Sequence, residues 1–365
     1  MKAISMFRRC LSTPTLSQVK KLEPPGPKFE DLPSYNAYDP ERMHLLWEDL
    51  SKQYGPVFQV KNSSEPSMYF LSDVQDIHKM FKVTAKNPIR PFFESYRVVR
   101  ERNENNFFEQ GKLGLMCQHG EEWWRVRSKV QVHTNKPQTI ATYIPKMDDI
   151  GKEFVERMAK LRNENNELPD DFIKELYKWA LEIMALVSLN KRIGGFEGSE
   201  DSKKLTEAAD KIMANIAECE YGDKSWRHTP TAAFNTLKEN HDFWIRYTES
   251  EVNKCYEELL SNKPDGSKPL NVMESMLLTP GLSRKDVIIT MMDFVMAAID
   301  TTAQTVAFTL YSLASNPQQQ KRLQQEIDSI GGDAEDGLTS SQMANIPFLP
   351  NRFLKKHFDC FPQVH

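Results

Sequence analysis

VIITMMDFVMAAIDTTAQTVAFTLYSLA, Val287 to Ala314, is a long apolar run whose middle is broken by Asp300, Thr301 and Thr302. Its flanks say helix rather than buried strand: Ser283 with Asp286 spells a capping box, and Asn316 followed by Pro317 is a stop signal. The roughly 32 residues between these signals would extend about 48 Å at the helical rise, enough to cross a whole domain. Ala298, Thr301, Thr302 and Thr305 recur at i, i+3, i+4 and i+7, so one face carries a seam of small side chains where a flat ligand or another backbone can come close. Asp300 sits beside that seam, and a carboxylate inside an apolar helix must be paired, hydrated or used. Two plainer readings stand beside use. A transmembrane span would pay about 2.5 to 3.5 kcal/mol for each of Asp293 and Asp300 near the bilayer centre. An ordinary core helix would pair the Asp and turn its Thr hydroxyls onto backbone carbonyls.

Composition narrows the field. The 365 residues are 39% hydrophobic and 10% aromatic, enough for a large core, and the net charge of -4 carries no basic excess of the kind that nucleic-acid binding leaves. Nucleic acid is therefore not expected as a partner. Cys10, Cys117, Cys219, Cys255 and Cys360 are odd in number, scattered, and without metal-site spacing, so they read as reduced thiols and no metal ligand set is assigned. Residues 1–22 include MKAISMFRRCLSTPTLSQVKK, which is basic, Ser/Thr-rich and free of acids, the character of a mitochondrial transit peptide; a disordered basic tail is the alternative. EPPGPK, Glu23 to Lys28, then forms a stiff entry into the folded part.

The remaining periodicity predicts a mainly α chain with a small β-sheet. PVFQV (Pro56–Val60) and SMYFL (Ser67–Leu71) are β-rich runs around a polar turn, a hairpin pattern, and Ser72 with Gln75 suggests a capping box opening the next helix. From about Met147 the period is helical, with stretches at Ile150–Leu161, Ile173–Leu189, Lys203–Ile216 and Phe243–Leu260. HGEEWWRVRSKV, His119 to Val130, places Trp123 and Arg127 one turn apart, where an indole NH and a guanidinium converge in a way that suits a carboxylate or phosphate. A surface helix with cation–aromatic stacking fits the same residues.

Taken together, these segments resemble the cytochrome P-450 family, in particular its mitochondrial branch. GEEWWRVR is similar to the family's WxxxR motif, AAIDTT (Ala297–Thr302) to its central-helix motif, PIRPFFESYR (Pro88–Arg97) to the segment before WxxxR, and NPQQQKRLQQEI (Asn316–Ile327) to the helix after the central one. The resemblance implies a cytochrome P-450 fold over residues 23–349. It implies haem as cofactor, its propionates on Trp123 and Arg127, Ala297 and Ala298 over its distal face, and Asp300 with Thr301 delivering protons to bound dioxygen. It further implies hydroxylation of a lipophilic substrate, electrons from a mitochondrial ferredoxin, and peripheral contact with the inner mitochondrial membrane.

Two departures from the pattern qualify these expectations. Ala298 stands where the family usually has Gly. After IPFL the sequence reads PNRFLKKHFDCFPQVH, in which the family's ExxR helix and FxxGxRxCxG ligand loop do not occur; Cys360 has none of that loop around it. Residues 350–365 therefore read as an aberrant tail, and the 365-residue form is expected to be inactive. The competing expectation is a noncatalytic helical binding protein, or a gene-model fragment.

Overall fold

A computed structural model describes residues 23–32, 43–62, 67–89, 93–102, 107–108, 111–222, 224–266 and 269–329. The expected transit peptide, the IPFL segment, Cys10, Cys360 and the 350–365 tail lie outside the described residues. The chain divides into two compact units, at 23–85 and from 86 onward.

In the first unit, α1 (Met43–Tyr54) packs on a two-stranded antiparallel sheet of β1 (Val57–Val60) and β2 (Met68–Leu71), with Phe58 opposite Phe70. Leu46, Leu50, Phe58 and Val60 are buried, and Trp47, Phe70 and Phe58 stack at 4.5 and 4.7 Å between ring centres. Gln59 is buried too, against the usual alternation of a strand, because the proline segment runs beside β1: Gln59 N donates to Pro25 O and its side chain to Pro24 O. A Cβ at Gly26 would meet Gln59 O at 1.8 Å, so only glycine permits that approach. The next helix, α2 (Val74–Thr84), is capped by Asp73, which accepts from the backbone of Gln75 and Asp76, and not by Ser72. Ser72 is spent closing the hairpin, its N–H donating to Pro56 O at 2.9 Å.

The second unit is helical: α3 (Glu94–Glu101), α4 (Gly120–Thr134), α5 (Pro137–Ala141), α6 (Ile144–Leu161), α7 (Ile173–Leu189), α8 (Glu200–Tyr221), α9 (Ala232–Ser261), α10 (Val272–Leu277), α11 (Arg284–Ala314) and α12 (Pro317–Ser329). The expected helices are present, α7 with the expected bounds. Three start earlier than their apolar period suggested: α6 at Ile144, α8 capped by Ser199 and α9 capped by Thr231. The first turns of α9 escape the period because His241, polar by type, occupies a buried position of its inner face. Among the described residues no helix is long and apolar enough to cross a membrane.

The long helix read first from the sequence is α11, and its capping box is formed on both sides, with Ser283 Oγ accepting from Asp286 N and Asp286 Oδ2 accepting from Ser283 N. It packs along α7 and against α9, which in turn lies along α8. Val287 to Met296 is almost wholly enclosed, with Met291, Met292 and Val295 at zero exposure. Each such side chain contributes about 1.5–3 kcal/mol by leaving water. Beyond Met296 the helix is covered on one side only.

Candidate functional site

The covered side of the second half of α11 is formed by α7: Ala303 is fully buried among Phe154, Leu176 and Ala180. The opposite side presents Ala297, Thr301, Thr305 and Phe308, all exposed and in register along the helix. Ala298 and Thr302 are half-buried at the edge of this strip, so the seam is turned by about one residue from the expected set. Thr301, Thr305 and Thr309 each donate their hydroxyl to the carbonyl four residues back, at 2.9, 2.7 and 2.7 Å. With the hydroxyls turned onto the backbone, the strip offers methyl groups outward, a surface suited to a flat apolar partner.

Asp300 and Thr301, paired in expectation, point different ways. Consecutive residues are separated by about 100° around a helix, and Asp300 is directed at α7, where it accepts a hydrogen bond from Tyr177 Oη at 3.1 Å. Gln304, one turn on, donates to the same hydroxyl at 3.1 Å. Asp300 thus lines a cavity of about 230 Å3 with Tyr177, Ala209, Asp210, Met213, Met296 and Ile299. Burial first, then the Asp300 charge, raises the Tyr177 phenol above its ordinary range. Burial also raises the Asp210 carboxyl, with Asp300 adding to the effect and Lys174 opposing it.

The second expected element is on α4. Trp123 is half-buried against the core, with Trp124 beside it at 6.3 Å between ring centres. Of the two arginines of RVR, Arg125 is consumed structurally. It holds Glu122 with two bonds of 2.8 and 2.7 Å, reaches Asp286 Oδ1 at 2.7 Å and Gly281 O at 2.8 Å, and so ties α4 to the start of α11. Burial would raise the Asp286 carboxyl, but Arg125 and Ser283 outweigh it and hold it below its ordinary value. Arg127 is half-exposed and has no hydrogen bond or ion pair among the described residues. It is therefore the arginine of this pair left available for an external anion.

The sequence did not expose a buried polar knot one turn before the seam. Arg100 on α3 has zero exposure, and each of its guanidinium nitrogens is engaged: with Asp293 on α11, Tyr96 Oη, His241 Nε2 and Leu113 O. Burial alone would lower the arginine pKa, and the adjacent Asp293 carboxylate more than offsets it. Asp293 Oδ2 also accepts from Met116 N at 3.3 Å, which draws the 113–118 segment onto α11. Gly114 makes the approach feasible, with φ of +78° and a would-be Cβ 2.2 Å from Ile289. The only available signal was an acid in an apolar helix and a cation in a helix of strong amphipathic pattern, 193 positions apart.

Thiols complete the inventory. Cys117, Cys219 and Cys255 are buried, and burial pushes them up to about 12, 11 and 11. All three lie within the apolar core. The residues present thus fit a haem on its distal face, through the methyl-lined strip, and at its acidic edge, through Arg127. The described thiols, buried in the core, are not presented to ligate an iron that such a haem would carry.

Comparison with known proteins identifies the family of the chain. Residues 21–353 match the family described as Cytochrome P450. The chain is 28% identical over 362 residues to Probable cytochrome P450 49a1 of Drosophila melanogaster, covering 95% of this chain and 61% of that protein. It is 27% identical to Cytochrome P450 CYP12A2 of Musca domestica, covering 92% and 62%, and 26% identical to Probable cytochrome P450 301a1, mitochondrial, of Drosophila melanogaster, covering 93% and 64%. The chain spans about three fifths of the length of the curated relatives it matches.

Proposed function

The chain belongs to the cytochrome P450 family, and from that premise we propose that it provides the distal side of a haem-dependent monooxygenase that hydroxylates a lipophilic substrate. The observation that carries this reading is the strip of Ala297, Thr301, Thr305 and Phe308, exposed on the helix opposite the side that α7 covers. Arg127, with Trp123 beside it, would hold the propionate edge by charge-assisted hydrogen bonds. Haem, when bound, supplies the dioxygen-activating chemistry. The chain's own part is to keep the distal strip apolar and narrow, with Ala298 at its edge adding a methyl, and to hold a protonatable carboxyl, Asp300, within one residue of the Thr301 hydroxyl.

Mitochondrial residence is part of the proposal. It is supported by the acid-free basic segment before Glu23 and by the printed names of several relatives, including Cytochrome P450 302a1, mitochondrial. In that setting a ferredoxin is the proposed electron donor and the inner membrane the proposed site of peripheral attachment. For the 365-residue polypeptide taken alone, the proposal is haem association without thiolate ligation and without turnover, since the described thiols, Cys117, Cys219 and Cys255, are buried. The second reading, a noncatalytic form that binds haem or a partner through the same strip, draws on the same thiols.

Haemin titration followed by absorbance tests both. Arg127→Ala should weaken haemin binding about tenfold or more, the size of one charge-assisted contact, while Arg125→Ala should lower stability first. Equal effects of the two substitutions on binding at equal stability would reject the assignment of Arg127. A thiolate-type carbon monoxide spectrum from the 365-residue polypeptide would reject the expected inactivity.

A further inference from the structure

Asp300 and Gln304 lie one turn apart on α11 and both reach a single atom of α7, Tyr177 Oη, each at 3.1 Å. A phenol has one proton, so with Gln304 donating to the oxygen, that proton is committed to Asp300. The carboxylate is thereby held toward the cavity between α7, α8 and α11, while Thr301 on the next position donates to Ala297 O and faces the strip. Across the cavity stands Asp210, on α8, with no hydrogen bond or ion pair among the described residues.

We propose that Tyr177 is a positioning residue for Asp300. It holds the carboxylate on the cavity side of α11, so that Asp300 receives protons through the cavity, by way of Asp210, and not from the side where substrate and haem would lie. The inference rests on the reading of the strip as the distal face and adds to it the route by which solvent protons enter. The transfer is balanced: the Asp210 carboxyl loses the proton that the Asp300 carboxylate gains through cavity water, outside water restores it to Asp210, and no other bond changes. Asp210 suits the part because it lines the cavity while remaining exposed to outside water, and desolvation by the cavity wall, with the Asp300 charge adding to it, raises its carboxyl above the ordinary value. The charged and titratable groups around the cavity are Lys174 and Tyr177 from α7, Glu207 and Asp210 from α8, and Asp300 from α11, with the Gln304 amide beside it. A chain without Tyr177 would leave Asp300 free to rotate about its side-chain bonds toward the strip.

The test uses the 365-residue protein without haem, so its failure is separable from failure of the haem reading, which haemin titration measures. A water-soluble carbodiimide with glycine amide labels reachable carboxyls, and peptide mass spectrometry gives a rate for each. Tyr177→Phe keeps the ring and removes the hydroxyl. It should raise the Asp300 rate about fivefold or more, the factor expected for one lost hydrogen bond, with Asp210 and Glu207 unchanged. An unchanged Asp300 rate, or a joint rise at all three carboxyls, overturns the positioning role, the latter because it reports only a loosened helix contact. Carbon-13 NMR of ring-labelled tyrosine supplies the second readout, with the Tyr177 signal identified by its loss in Tyr177→Phe. Asp300→Asn should bring the Tyr177 titration down toward the ordinary phenol value, and Asp210→Asn should bring it down by less. No movement in Asp300→Asn would show that the hydroxyl is not bonded to Asp300, and none in Asp210→Asn would remove Asp210 from the route.

Discussion

Removing the Asp293 carboxylate should unfold most of what holds α3, the 113–118 segment and α11 together. Arg100 is fully buried, and Asp293 takes hydrogen bonds from two of its nitrogens, at 2.5 and 3.4 Å, plus one from Met116 N. Asp293→Leu leaves a guanidinium in the core with only Tyr96, His241 and Leu113 around it and no counter-charge. Breaking a buried pair from one side costs about 3–5 kcal/mol, a large share of the roughly 5–15 kcal/mol by which a domain is stable. Asp293→Asn retains an acceptor and should cost less, about 1–3 kcal/mol. The paired substitution Arg100→Leu with Asp293→Leu removes both charges and should recover most of the single loss, because replacing a buried pair by apolar groups is often near neutral. Urea unfolding followed by fluorescence reads the right unit, since Trp123, Trp124, Trp179, Trp226 and Trp244 lie within it and only Trp47 lies outside. A cost below about 1 kcal/mol for Asp293→Leu, or a double variant no more stable than the single, would refute the argument that this pair clamps the unit.

Other outcomes follow from the same geometry. Gly114→Ala combines a φ of +78° with a Cβ 2.2 Å from Ile289 and 2.9 Å from both Arg100 and Asp293, and should destabilise by about 2–4 kcal/mol in the same unfolding measurement. Stability should fall in acid in two windows: burial depresses His241, with Asp242 only partly opposing, so its contribution is present above its ordinary 6.5 and lost as pH falls through its lower folded value. The depressed Asp286 carboxyl contributes above its ordinary 3.8 and is lost below it, so Asp286→Asn should flatten the acid limb of a stability–pH curve below about pH 4. Cys117, Cys219 and Cys255 should resist a thiol reagent at pH 8 in the folded protein and react in urea, with mass spectrometry locating the adducts.

Those features that depend on neighbours in sequence were legible without the fold. The start of α11 could be read because Ser283 and Asp286 satisfy each other's backbone groups within one turn, and its end because Pro317 cannot continue a helix through its own nitrogen. The hairpin and α7 follow from periods of two and 3.6 that any short window contains. Local chemistry misled where two adjacent residues compete for one role, as when Asp73 takes the cap of α2 and leaves Ser72 to Pro56.

Tertiary packing alone settled who meets whom. The sequence marked Asp293 and Asp300 as equally awkward acids in an apolar helix, yet one is clamped to Arg100 in the dry core and the other faces a cavity through Tyr177. It singled out Arg127 by its spacing from Trp123 and said nothing of Arg125, which packing spent on Asp286. The reason is physical: a side chain's type states what partner it requires, whereas the partner's arrival from 123 or 193 positions away depends on how helices pack.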